Sequence, residues 1–88
     1  MTTYTIAYEL TLTDGYKGFY EHLESYPHCR MMSSCWLIQS DSDAGEIRDK
    51  LVPFMNHGDS LFVAELSYEW AGAGTHCGNW LSAPEREA

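Results

Sequence analysis

Basic residues are scarce in this chain: five Lys and Arg stand against thirteen Asp and Glu, a formal net charge of −8 at pH 7 over 88 residues. A surface of that sign repels phosphate backbones, which nucleic-acid binders neutralise with Lys and Arg, so direct binding of DNA or RNA is disfavoured. Long apolar runs are missing too, and no stretch approaches the ~20 residues of a membrane-spanning helix. Cysteine is limited to Cys29, Cys35 and Cys77, an odd number without a C-x-x-C spacing. With no leader-like segment ahead of them, the expectation is a reducing, cytoplasmic setting with free or buried thiols. His28-Cys29 and His76-Cys77 match no zinc-finger spacing, and neighbours on a strand point to opposite faces, so the thiols read as small apolar fillers and the histidines as surface residues. Gly72 and Gly74 lack the Lys and Ser of a phosphate-binding loop, and there is no nucleophile elbow, internal repeat or low-complexity segment.

What is present is apolar and aromatic material, 44% and 14% of the chain. That is enough for one globular domain with a modest core, to which dimerisation would add buried surface. We read residues 1–81 as the domain, closed by an apolar latch at Asn79-Trp80-Leu81, and 82–88 as a flexible charged tail.

Residues 3–10 alternate, with Tyr4, Ile6, Tyr8 and Leu10 on one face, the period of a half-buried strand. Tyr16, Phe19, Tyr20 and Leu23 fall at helical spacing over 16–26, Asp14 offers a cap, and Pro27 ends the helix. Residues 28–32 and 35–39 read as a hairpin turning at Ser33 and Ser34. Asp43 with Glu46 makes an acidic capping box for a second helix whose inward stripe is Ala44, Ile47, Leu51, Phe54 and Met55, with Pro53 marking its last turn or a kink. A turn at 56–59 leads to a strand over 60–66, apolar on both faces and therefore expected to be central.

The order strand, helix, strand, strand, helix, strand predicts an α+β chain of the ferredoxin-like β-α-β-β-α-β kind, with two helices on one face of an antiparallel sheet. The opposite face is expected to be open to a partner or a second copy, with Tyr8, Trp36, Tyr68 and Trp70 lining it or its edge.

Several stretches together resemble the family of small proteins similar to the "Cas-two" subunit of CRISPR adaptation. They are Tyr8-Glu9-Leu10, Ser34-Cys35-Trp36-Leu37-Ile38, Glu46-Ile47-Arg48-Asp49-Lys50-Leu51, and Asp59-Ser60-Leu61-Phe62-Val63-Ala64-Glu65-Leu66 with Trp70-Ala71-Gly72. The resemblance covers 4–70 and implies a ferredoxin-like homodimer. In nuclease-competent members an Asp ends the first strand, and the copies from two subunits hold a divalent metal at the dimer interface. Glu9 occupies the matching position here, so the resemblance makes it the alternative catalytic residue and Mg²⁺ ligand.

Two functional expectations follow. A nuclease needs cations for the scissile phosphate, and Lys17, Arg30, Arg48 and Lys50 are a thin supply. The acids are plentiful. Asp41, Asp43, Glu46 and Asp49 surround the start of the second helix, and Glu21 and Glu24 lie on the first. Capping accounts for Asp43 and Glu46 but not for the number. With Trp70, these residues define a candidate surface for a basic nucleic-acid-handling protein, engaged without catalysis or cofactor, as a DNA mimic or an inhibitor of the anti-CRISPR or anti-defence kind would do. The alternative is a dimeric, Mg²⁺-dependent nuclease built on Glu9.

Overall fold

The computed structural model describes residues 1–67, 69–74 and 77–82. Along the chain come β1 (Thr2–Glu9), α1 (Lys17–Glu24), β2 (His28–Met32), β3 (Cys35–Ser40), α2 (Ala44–Leu51), a 3₁₀ turn (Val52–Phe54), β4 (Ser60–Glu65) and the short helix α3 (Gly78–Ser82). The strands form one antiparallel sheet in the order β2-β3-β1-β4. The architecture is α+β.

Alternation in β1 does what the sequence predicts, since Tyr4, Ile6 and Tyr8 are buried. The register places Ile6 between Trp36 and Val63, Tyr4 beside Ile38 and Tyr8 beside Leu61, so one apolar face runs across three strands. Phe19 and Leu23 of α1 and Ile47 and Leu51 of α2 are fully buried within the same cluster. Each such side chain contributes about 1.5–3 kcal/mol by leaving water. The polar ends of the core aromatics are satisfied. Trp36 Nε1 donates to the Tyr8 hydroxyl at 2.9 Å, which donates to the Ser33 carbonyl at 2.9 Å, and Tyr4 donates to the Ser42 carbonyl at 2.7 Å.

Several expectations need correction. Tyr8 and Trp36 lie in the core beneath the helices rather than on an open face, because their register partners Leu61 and Ile6 face the same way. Tyr68 lies outside the described residues. The N-cap of α1 is Tyr16, with no side-chain capping bond, so Asp14 does not cap it. Pro53 converts the end of the second helix into the 3₁₀ turn, since its ring cannot accept another turn of α-helix behind it. Phe54 is thereby turned outward, 41% exposed, and stacks on His22 at 5.9 Å. β4 is an edge strand, not a central one. Its helix-side residues Leu61 and Val63 pack on the core, while Phe62 points to the far side and is 67% exposed.

The far face of the sheet also differs from expectation, because the chain covers part of it itself. After β4 the Leu66 amide donates to the Thr3 carbonyl at 2.9 Å. Leu66, Trp70 and Leu81 then border a cleft with Thr5, Met31 and Leu37. Cys77 is buried there and joined to Cys29 by a disulfide, with Cα atoms 6.1 Å apart. Cys29 and Cys77 are therefore not free thiols. Cys29 pairs with Leu37 across β2 and β3, so both point away from the helices, toward the returning C-terminal segment. Cys35 is the free cysteine among the described residues, half-buried, with its thiol pKa raised by that burial.

Candidate functional site: an acidic end of the sheet

The loop between β3 and α2 is held firmly. Ser42 donates its amide to Ser40 Oγ at 3.0 Å, and its carbonyl receives the Tyr4 hydroxyl. Asp43 caps α2 by accepting the Glu46 amide at 2.8 Å, and Glu46 reaches back to accept the Asp43 amide at 3.2 Å. The reciprocal box satisfies two amides that a helix start otherwise leaves to solvent, and the positive end of the helix dipole favours both carboxylates. Asp41 lies just before this box, with its carboxylate 3.9 Å from the N-terminal ammonium and 87% exposed. So open an ion pair does little to neutralise it.

A fourth acid joins them from a distant part of the sequence. Glu65, at the end of β4, is the register partner of Tyr4. The Tyr4 hydroxyl reports the convergence: its pKa is raised first by burial, then by the charges of Glu65 and Asp43, with Glu46 contributing further. The charges of three carboxylates, from the start of α2 and the end of β4, thus bear on one phenol. Sequence reasoning missed Glu65 because a charged residue ending a strand is ordinary; only the β1–β4 register brings it beside α2.

The α1 acids approach the same end by topology. The Gln39 amide donates to the Pro27 carbonyl at 2.9 Å, which sets the chain leaving α1 beside the end of β3, just ahead of Asp41. Glu24, in the last turn of α1, is therefore at the acidic end, with Glu21 one turn back; both are exposed. Asp49 is different. It lies further along α2 and is paired with Arg48 at 2.9 Å. Trp70 is not part of this group and lies on the opposite sheet face beside Thr5 and Leu37.

Glu9 is exposed at the other end of β1, opposite Ser60. Among the described residues no group of three or more His, Cys, Asp or Glu is arranged to hold a metal ion. The neighbouring acid Asp59 is committed to structure. It accepts the Thr11 amide at 2.8 Å, the Thr11 hydroxyl at 2.9 Å, the Tyr16 hydroxyl at 2.8 Å and the Asn56 amide at 2.7 Å, tying the β1–α1 loop to the turn before β4. Desolvation pushes its pKa up, but the bonds from Asn56, Thr11 and Tyr16 outweigh that and hold it at about 2.

At this same end an open cleft of about 310 Å³ lies between the β1–α1 loop and the β2–β3 turn. Arg30 borders it with its guanidinium over the rings of Tyr20 and Trp36, at 5.1 and 5.2 Å, while donating to the Ser33 carbonyl at 2.7 Å. Cation–π contacts of this kind are worth about 0.5–1 kcal/mol at exposed sites. They depend on the hairpin register that sets Arg30 opposite Trp36, so a lone arginine in the sequence does not reveal them.

Comparison with protein-family models, curated proteins and solved structures finds no match to this chain.

Proposed function

We propose that this protein is a non-enzymatic acidic binding protein that engages a basic nucleic-acid-handling protein, presenting carboxylates where that partner expects phosphates. The observation that carries the proposal is the gathering of Asp41, Asp43, Glu46 and Glu65 at one end of the sheet, with Glu24 approaching from α1. Carboxylates held on a rigid loop and a strand end suit mimicry better than charges scattered over flexible side chains, because less motional freedom is lost on binding. In its sharpest form the protein occupies the nucleic-acid groove of its partner and blocks it.

At the finer level we read the fold as the ferredoxin-like β-α-β-β-α-β arrangement, a reading supported by the strand order and by the split connections through α1 and α2. The kinship with Cas-two-like proteins, and a homodimer, belong to the same proposal. Such kinship would pair the architecture of a nucleic-acid-processing protein with a surface that repels nucleic acid.

The test is retention of a basic protein from a host lysate on the immobilised chain, beside a variant carrying Asp41→Lys and Glu65→Lys. The expected result is a nucleic-acid-binding protein held by the unmodified chain, released by modest salt and by competing DNA, and not held by the variant. Retention that is indifferent to salt, to DNA and to the charge reversals refutes mimicry. Cleavage of labelled DNA with Mg²⁺ that is lost in Glu9→Ala would replace it with the nuclease reading.

A further inference from the structure

The segment that returns over the far face of the sheet is built differently from the rest of the chain. It is anchored at its start by the Leu66 amide on Thr3 and near its end by the Cys29–Cys77 disulfide, which spans 48 residues of sequence. Between these anchors lies Ala71-Gly72-Ala73-Gly74, exposed throughout, with Gly74 at φ 72°, a conformation that glycine adopts without strain. The hydrogen bonds from Ser67 Oγ to the Glu69 carbonyl, 3.3 Å, and from the Leu81 amide to the Cys77 carbonyl, 3.0 Å, close within the segment itself.

Packing beneath it leaves a gap. A cleft of about 120 Å³ lies between parts of the segment and the sheet, bordered by Thr5, Met31, Leu37, Trp70 and Leu81. That is room for several waters at about 30 Å³ each, in a layer where side chains of a domain core would interlock. The sheet below is nevertheless apolar, and Leu37 is only 1% exposed under this cover. The disulfide is a covalent tie between the segment and the edge strand β2.

We propose that the Cys29–Cys77 disulfide is a redox latch, and that its reduction by a dithiol releases residues 69–82 and uncovers the sheet face around Met31 and Leu37. The thiolate of the dithiol attacks the sulfur of Cys29, the more exposed partner, and Cys77 leaves as a thiolate. The second thiol of the reductant then attacks the mixed disulfide and frees Cys29. Two electrons pass from the dithiol to the protein disulfide, the dithiol closes to its own disulfide, and its two protons end on Cys29 and Cys77. The core on the helix side takes no part, because Phe19, Leu23, Ile47 and Leu51 pack against the other sheet face.

Limited digestion with chymotrypsin tests this, since Trp70, Trp80 and Leu81 lie in the segment. The full chain is digested with and without dithiothreitol, beside the Cys29→Ser/Cys77→Ser variant, while near-ultraviolet circular dichroism follows the buried aromatics. Reduction should raise cleavage within 69–82 by about tenfold or more, as expected when a locally closed segment becomes persistently open. The aromatic signal of the core should persist, and the double variant should be cleaved rapidly under both conditions. Cleavage that reduction leaves unchanged, or a double variant as resistant as the oxidised chain, overturns the latch. Loss of the core signal together with the segment also overturns it, because the disulfide would then be a staple of the whole fold.

Discussion

Replacing Asp43 by serine and Glu46 by glutamine would remove two carboxylates from the acidic end while retaining an acceptor for each bond of the capping box, now 2.8 and 3.2 Å long. Replacing Asp43 by alanine removes one carboxylate and breaks the box. The alanine change should cost about 1 kcal/mol, within a range of roughly 0.5–2 kcal/mol. A domain of this size shifts its melting temperature by about 4–8 °C per kcal/mol, so Asp43→Ala should melt lower by about that much. Total stability is on the order of 4–13 kcal/mol at 0.05–0.15 kcal/mol per residue, so this single cap is a visible fraction of it. The serine and glutamine pair keeps the bonds and loses only the attraction of each charge to the helix dipole, about 0.3–1 kcal/mol apiece at low salt. That deficit should shrink toward zero as salt rises, whereas the alanine deficit should shrink only by its charge–dipole part and keep the part due to the lost capping bond. Thermal melts by circular dichroism at low and high salt separate the two effects, and partner binding by the same proteins separates charge from geometry. If charge is what the partner reads, the serine and glutamine pair binds more weakly than Asp43→Ala although it is the better folded near physiological salt. If it binds as the unmodified chain does while Asp43→Ala fails, the loop conformation is being read, and the electrostatic reasoning is refuted.

Phe19→Ala empties a fully buried position and should cost about 3–5 kcal/mol, a large share of a stability on the order of 4–13 kcal/mol, so the midpoint of urea unfolding should fall in proportion; a loss below about 1 kcal/mol would mean the helix–sheet contact is not the core. The depressed pKa of Asp59, about 2, means that its contribution to stability is complete above the unfolded value near 3.9 and is lost as pH falls through 2. Asp59→Asn should therefore be less stable at neutral pH and show a flatter acid limb in melts between about pH 2 and 4. His22 has its pKa lowered by burial and then by Lys50, so the fold favours the neutral ring. Stability should decline as pH falls below about 6.5 toward the folded value, and His22→Gln should remove that component of the profile.

Local signals were legible wherever one element contained its own explanation. The alternation of Tyr4, Ile6 and Tyr8 reads directly as a strand with one buried face, and Asp43 with Glu46 reads as a helix start, because each pattern depends on neighbours within a few residues. The hairpin at Ser33 and Ser34 was legible for the same reason. Side assignments were less so. Apolar residues on both faces of β4 suggested a central strand, yet the strand is at the edge. The helix-side core accounts for Leu61 and Val63, and Phe62 is simply exposed.

The acidic cluster shows the same division. Asp41, Asp43 and Glu46 are adjacent in sequence and were found there, but Glu65 belongs with them only through its register with Tyr4, and Asp49 is set apart by Arg48. By itself, then, the amino-acid sequence determined the four strands and the first two helices, the capping box of α2 and the sign of the surface, all properties of short windows or of composition. Tertiary structure alone decided which carboxylates share an end of the sheet, that Cys29 finds Cys77, and that part of the face away from the helices is covered by the chain's own return. Those outcomes depend on residues brought together across tens of positions by strand pairing, and no local pattern carries that register.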